Sequence, residues 1–150
     1  MQAGDIAPDF ELPDEQGVKR SLTELLSHGP VVLFFYPAAM TAGCTAESCH
    51  FRDLAKEFAD AGAQRVGISP DEIAKQAEFS ARNSFDFPLL SDPDGAVATQ
   101  FGVRRKIAML ATRRMTFVID TDRKILDVIK SEVRMSMHAD KALAALATRG

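Results

Sequence analysis

Val31-Val32-Leu33-Phe34-Phe35-Tyr36-Pro37-Ala38-Ala39-Met40-Thr41-Ala42-Gly43-Cys44-Thr45-Ala46-Glu47-Ser48-Cys49 reads as a strand that runs into a helix. Its first six residues are apolar without a break, the pattern of a central strand covered on both faces. From Ser48 to Ala61, Phe51, Leu54, Ala55 and Phe58 fall at the i, i+3, i+4, i+7 spacing of one helix face, and Gly62 is placed to end it. The chain has two cysteines, and both lie at this junction. A thiol in the first turn of a helix faces unpaired backbone N–H groups and the positive end of the helix dipole, and both favour thiolate over thiol. The chemistry is expected here.

Strands and helices alternate on either side. Asp9-Phe10-Glu11-Leu12 and the turn Asp14-Glu15-Gln16-Gly17 open an N-terminal β-hairpin, and Ser21-Leu22-Thr23-Glu24 has capping-box spacing for a short helix through Leu26. Gln64 to Ser69 is the next strand, and Ser69-Pro70-Asp71-Glu72 offers an N-cap with Pro at N1 for a helix to about Ser84. Phe87 to Asp92 predicts a short strand end, and Asp94 to Phe101 a brief helix. Met115 to Asp120 and Lys124 to Ile129 form a hairpin about Thr121-Asp122-Arg123, and an alanine-rich helix runs from about His138 to Thr148. This order predicts an α/β fold, a central mixed sheet with helices on both faces, in one domain over residues 1–150.

Composition narrows the function classes. The chain has 150 residues, 46% apolar and 26% charged, enough to bury a core without disulfide staples. No run approaches the roughly 20 apolar residues that span a bilayer, and the start lacks a basic segment followed by an apolar one, so neither a membrane nor a secretory destination is expected. A net charge of −3 disfavours nucleic acid as a partner. Two cysteines are too few for a secreted disulfide scaffold, whereas a close pair in a reducing compartment suits redox chemistry or metal binding. No Gly-rich phosphate loop, paired-carboxylate dyad or HExxH stands in the sequence.

Pro37-x-x-x-Thr41-x-x-Cys44, after Phe34-Phe35-Tyr36 and before Thr45-x-Glu47, resembles the active-site signature of the peroxiredoxins. Cys49, five residues on, together with Phe51-Arg52-Asp53 and Arg114-x-Thr116-Phe117-Val118-Ile119-Asp120, is similar to the bacterioferritin-comigratory, or PrxQ, branch. The likeness runs from Gly4-Asp5 to His138-Ala139-Asp140. It implies a thioredoxin-like fold and thiol-dependent reduction of hydroperoxides, with Cys44 as the attacking thiolate and Cys49 as the resolving thiol. It further implies that Thr41 bonds the thiolate and orients the peroxide, that Arg114 reaches Cys44 from the neighbouring strand, and that Pro37 shields the site from water. Gly43 would let the backbone N–H groups at 43 and 44 approach the peroxide oxygens, and Glu47 would pair with Arg114. Arg113 is the rival of Arg114, since neighbours on a strand point to opposite faces, and the alignment on Thr116-Phe117 favours Arg114. No metal or organic cofactor is expected, because the electrons come from a thioredoxin-type donor; a cytoplasmic monomer, without a long C-terminal arm, follows from the same reading.

Residues five apart on a helix lie roughly 8–9 Å apart between Cα atoms, beyond the roughly 4.4–6.8 Å of a disulfide. A Cys44–Cys49 bridge therefore requires the first turns of the helix to unwind. Ala38-Ala39-Met40 and Ile107-Ala108-Met109-Leu110 make the expected rim apolar, which suits bulky alkyl hydroperoxides. The cluster Arg104, Arg105, Lys106, Arg113 and Arg114 offers an anion or partner patch, and reads more simply as a solvated loop. The alternative class is a copper or thiol metallochaperone on the same fold, with Cys44, Cys49 and His138 as soft ligands. His138 reads more simply as an interior or capping residue at the start of the last helix.

Overall fold

The computed structural model describes residues 1–104 and 112–149. Its centre is β3, Val31–Phe35, buried at every position. β3 pairs in parallel with β4, Gln64–Ser69, and antiparallel with β6, Met115–Ile119. Adding β5, Leu89–Ser91, outside β4 and β7, Ile125–Lys130, outside β6 gives a five-stranded mixed sheet of order β5-β4-β3-β6-β7. A separate antiparallel hairpin pairs β1, Glu11–Pro13, with β2, Lys19–Ser21.

The unbroken apolar run of β3 splits by alternation. Val31, Leu33 and Phe35 enter a core with Leu22 and Leu25 of α1, Leu22–Leu26, and Val97 of α5, Ala96–Gln100. Val32 and Phe34, with Tyr36 just beyond the strand, enter a second core on the other face, with Phe51, Phe79 and Ala139. Those residues belong to α2, Ala42–Asp53, α4, Ile73–Asn83, and α6, Met135–Ala147. Each strand side chain thus finds a helix to cover it, which is why no polar residue interrupts the run. Phe34 stacks on Phe51 with ring centroids 4.2 Å apart and planes 10° apart. That contact fixes how α2 lies across the sheet.

Three helices depart from the sequence reading. The helix expected over Ser48 to Ala61 begins earlier, at Ala42, and divides at Leu54 (φ −96°, ψ 22°) into α2 and α3, Ala55–Asp60. The turn lets α2 pack on α6 while α3 packs on β4. Ser69 does not cap α4, which starts at Ile73; its hydroxyl turns inward, donating to Asp71 Oδ2 at 2.7 Å and accepting from Gln76 Nε2 at 2.9 Å. The last helix starts at Met135, which places His138 within its first turn, fully buried. Elsewhere local signals hold: Ser21 Oγ accepts from Glu24 N at 3.1 Å, and Gly62 ends α3 with φ +70°.

Gly67, in β4 beside Phe34 and Tyr36, has no room for a side chain. A Cβ there would come within 2.8 Å of Leu89 Cδ2, 3.0 Å of Phe34 Cζ and 3.1 Å of Tyr36 Cε1. Gly67→Val is expected to cost about 1–3 kcal/mol through overpacking. Urea denaturation of the reduced protein checks this, and a midpoint equal to that of the parent would show that this core can yield.

Candidate active site

The link from β3 to α2 is held from below by a buried polar chain. Tyr36 OH donates to Gln76 Oε1 at 2.6 Å, Gln76 Nε2 donates to Ser69 Oγ, and Ser69 Oγ donates to Asp71 Oδ2. The same Asp71 oxygen accepts from Ala39 N at 2.6 Å. Burial pushes the Tyr36 phenol well above its ordinary range, so it serves as a neutral donor. Met40 then turns the chain through φ 71°, and Thr41 (φ −81°, ψ 155°) takes the N-cap position of α2.

Thr41 makes no side-chain cap. Its hydroxyl donates to Ala38 O at 2.8 Å, and its carbonyl accepts from Thr45 N and Thr45 Oγ1. The expectation that this hydroxyl bonds the Cys44 sulfur is therefore not what this arrangement displays. The absent cap leaves the N–H groups at the start of α2, those of Gly43 and Cys44 among them, without a side-chain oxygen, as a site for an incoming anion or polar oxygen would need.

Cys44, in the first turn of α2, is fully buried. Arg114 Nη2 donates to its Sγ at 3.2 Å, and Arg114 Nη1 donates to Glu47 Oε1 at 2.8 Å. One guanidinium therefore spans two residues of α2 set one turn apart. Its backbone N–H is held in turn by Glu132 Oε1 at 3.1 Å. Burial works against the Arg114 charge, but attraction to Glu47 and Cys44 outweighs it and the group is held above its usual range. Arg113, the rival in sequence, is exposed. Gly43 is what lets the guanidinium approach: a Cβ would sit 3.3 Å from Arg114 Nη2 and 3.6 Å from Met135 Sδ.

Glu47 is fully buried, so it faces Arg114 and not an open substrate site. Burial pushes its carboxyl up to about 8, against the pull of Arg114. Its Oε2 has no hydrogen-bond partner and lies 3.5 Å from His138 Nδ1. His138 is also held by Thr116 Oγ1, 2.8 Å from Nδ1, and by Ser131 O, 2.9 Å from Nε2. Sequence reasoning gave His138 a part only in the alternative metal-binding reading, and missed Asp71 and Met135. The burial of His138 was legible in its spacing to Ala139, Ala142 and Leu146, but its partner was not.

Cys49 lies on the same helix, half-buried, and its thiol donates to Asn83 Oδ1 at 3.6 Å. Asn83 is fixed from both ends, donating to Phe79 O at 3.0 Å and accepting at its own carbonyl from Arg52 Nη1 at 2.8 Å. Both cysteines are free thiols. Pro37, half-buried, stands at the strand end beside Tyr36. Cys44, Cys49 and His138 do not converge as a ligand set, since both ring nitrogens of His138 are engaged. Among the described residues no group of three or more His, Cys, Asp or Glu is disposed to hold a metal ion, and no helix is long and apolar enough to cross a membrane. The expected rim residues Ile107-Ala108-Met109-Leu110, with Arg105 and Lys106, lie outside the described residues.

Residues 3–128 match the model of the AhpC/TSA family. The chain is 39% identical over 148 residues to peroxiredoxin Bcp of Escherichia coli K12, covering 95% of this chain and 94% of that protein. The crystal structure of peroxidoxin BcpB from Mycobacterium tuberculosis superimposes with a TM-score of 0.96 at 63% identity, over 100% of this chain and 99% of that one. A bacterioferritin comigratory protein of Xanthomonas campestris, studied for its alkyl peroxide reduction activity, matches with a TM-score of 0.85 at 33% identity, over 92% of this chain and 90% of that one.

Asn83→Ala removes the acceptor that parks the Cys49 thiol. Because a bond of this kind contributes under about 1 kcal/mol, alkylation of Cys49 is expected to speed up by about 2- to 5-fold. Time-resolved mass spectrometry of the trapped peptides measures the rate, and an unchanged Cys49 rate would mean that the rest of α2 alone governs its exposure.

Proposed function

The chain belongs to the AhpC/TSA family as a peroxiredoxin of the bacterioferritin-comigratory, or PrxQ, branch, and we propose that it reduces hydroperoxides through Cys44 with Cys49 as the resolving thiol. The observation that carries this reading is the Arg114 guanidinium placed on both Cys44 Sγ and Glu47 Oε1. A positive fork on the sulfur stabilises negative charge there, and the N–H groups at the start of α2 stand beside it to receive the peroxide. The thiolate attacks one oxygen in line. An S–O bond forms as the O–O bond breaks, sulfur is oxidised to sulfenic acid, and the leaving oxygen takes up a proton to become an alcohol or water. Arg114 and the backbone N–H groups offset the charge that develops on the leaving oxygen.

Thr41 completes the pocket once its hydroxyl swings from Ala38 O toward substrate, and Pro37 shields the sulfur while lacking an N–H of its own. Gly43 keeps the approach to the guanidinium open. In the second step the Cys49 thiolate attacks the Cys44 sulfur and water leaves, so a disulfide forms. Both cysteines lie within the intact α2, so their Cα atoms stand about 8–9 Å apart and the helix must open first. Two electrons from a thioredoxin-type dithiol then restore both thiols.

Half-buried Met40, just before α2, and half-buried Met135, whose Sδ lies 3.6 Å from where a Gly43 Cβ would sit, offer apolar surface at the site, which supports alkyl hydroperoxides as good substrates. A cytoplasmic setting suits an enzyme that needs a reduced thiol donor. We read residues 1–150 as one domain, supported by the single sheet that carries both cores, and as a monomer.

The test is intact mass with peptide mapping after one equivalent of hydroperoxide is added to the reduced protein. Loss of two hydrogens, mapped to a Cys44–Cys49 bridge and abolished in Cys44→Ser, is the expected result. Oxygen added at Cys44 with Cys49 still free would instead assign resolution to an external thiol, and no change at either cysteine would end the peroxidase reading.

A further inference from the structure

Behind the Arg114 fork lies a pair of groups that the peroxidase cycle does not use. Glu47 Oε2 is buried without a hydrogen-bond partner, and 3.5 Å away His138 Nδ1 faces it, also fully buried. The ring orientation is set from both sides. Ser131 O, 2.9 Å from Nε2, can only accept, so Nε2 carries a hydrogen. Thr116 Oγ1 stands 2.8 Å from Nδ1 and can either donate to it or accept from it. In a neutral ring the single Nδ1 lone pair accepts from Thr116 Oγ1, which leaves the buried Glu47 Oε2 3.5 Å away as a bare carboxylate oxygen with no donor; a proton on either Oε2 or Nδ1 supplies one.

We propose that Glu47 and His138 share one buried proton, and that this proton keeps the charge of Arg114 available to Cys44. The inference rests on Cys44 as the reacting thiol. With the proton on Glu47 Oε2 both partners are neutral; with it on His138 Nδ1 they form a compensated ion pair. Their sum is zero in each case, and Arg114 is left with the Cys44 thiolate as its counter-charge. Without the proton, Glu47 is a full carboxylate whose only counter-charge is the guanidinium 2.8 Å away, and it competes with the sulfur for it.

The charged groups facing the pair are Arg114 at the start of β6, Cys44 on α2 and Glu132 between β7 and α6. Asp140, also on α6, is exposed and bonded to His50 of α2 at 2.8 Å. Burial pushes Glu47 up to about 8 and pushes His138 below its ordinary range. Both directions favour the proton on the carboxyl oxygen, pointing at Nδ1. A carboxyl held above its ordinary range keeps its proton through neutrality and loses it as pH rises through about 8. Peroxide reduction should therefore fall off on the alkaline side. His138 is a positioning residue in this scheme, acting through Glu47 and Arg114 and never touching the sulfur.

Linkage is reciprocal: if the proton supports a thiolate at Cys44, the thiolate must hold the proton. The experiment is an NMR titration of the Glu47 carboxyl carbon and the His138 ring nitrogens across the neutral and alkaline range. It is run on reduced Cys49→Ser, which keeps Cys44, and on Cys44→Ser, which lacks it. Both nuclei are expected to report one common midpoint, since coupled groups titrate as a pair. That midpoint should be lower in Cys44→Ser by about one pH unit, a tenfold change in proton affinity. An ionised Glu47 beside a neutral His138 at neutral pH would overturn the proposal, as would equal midpoints in the two variants.

Single-turnover peroxide consumption against pH gives the second readout. Glu47→Gln carries a permanent hydrogen in place of the shared proton, so the alkaline fall-off should vanish from its profile, and its persistence would overturn the link to Arg114. The titration needs no turnover, so its failure leaves the peroxidase reading standing, whereas a protein inert to peroxide would fail that reading and still titrate.

Discussion

Everything at this site depends on placing one cation against two residues of α2. Arg114 is buried, 6% exposed, and reaches Cys44 Sγ and Glu47 Oε1 at once. Desolvating a guanidinium is expensive unless its hydrogens are taken up with good geometry. Here Nη1 and Nη2 are taken up, while Nε has no partner. The fork therefore works only if β6 and α2 are held in one relative position. That demand explains the aromatic packing beneath: Phe34 of β3 stacks on Phe51 of α2, and Phe34 pairs directly with Thr116, two residues from Arg114, across the β3–β6 ladder. A displacement of α2 over the sheet would have to break that stack before it could loosen the fork. Packing in the core thus sets the electrostatics of the sulfur.

The second constraint is polar and runs along the opposite flank. Tyr36, Gln76 and Ser69, all buried, and the half-buried Asp71 form a chain that ends on the backbone N–H of Ala39. Buried polar groups are stabilising only when every member is satisfied, and this chain spends its last acceptor on the loop that carries Thr41. The loop is thereby anchored at Ala39 while Met40, with positive φ, makes the turn into α2. Arg114, just before β6, holds the start of α2 and Asp71, just after β4, holds the loop that leads into it, so the geometry around Cys44 survives even though the helix lacks a side-chain cap.

How legible this was depended on whether the signal was local. The alternation of β3, the capping spacing of Ser21 and Glu24 and the hairpin about Thr121-Asp122-Arg123 involve near neighbours in sequence, and the architecture followed from them. Ser69 shows where local reasoning fails. Its Ser-Pro-Asp-Glu context is a good helix start, yet the hydroxyl is committed to Asp71 and Gln76, because a buried chain takes precedence over an exposed cap. Leu54 carries no breaker residue, and the turn there follows from α2 and α3 needing different neighbours. At the site, Cys44, Glu47 and Arg114 were named together through a family resemblance. Charge balance gave no signal for the partners of His138, because Thr116 lies on a strand, 22 residues away in sequence, and Ser131, though only seven residues away, contributes only a backbone carbonyl.

α2 must satisfy two opposed demands, and its sequence shows the compromise. Holding Cys44 on Arg114 needs an intact first turn; closing the proposed bridge to Cys49 needs that turn lost. Gly43, Thr45 and Ser48 are poor helix formers, and the helix start has no side-chain cap, so little local free energy opposes opening. The opening is also bounded. Upstream, Ala39 is tied to Asp71, and downstream the chain turns at Leu54 into α3, whose Phe58 is buried in the same core as Phe51. Unwinding is thereby confined to the residues between those two anchors, and Phe51 sets how far along α2 it can travel without disrupting the core. Cys49 lies on the near side of Phe51, where the helix can open and the sheet below it need not move.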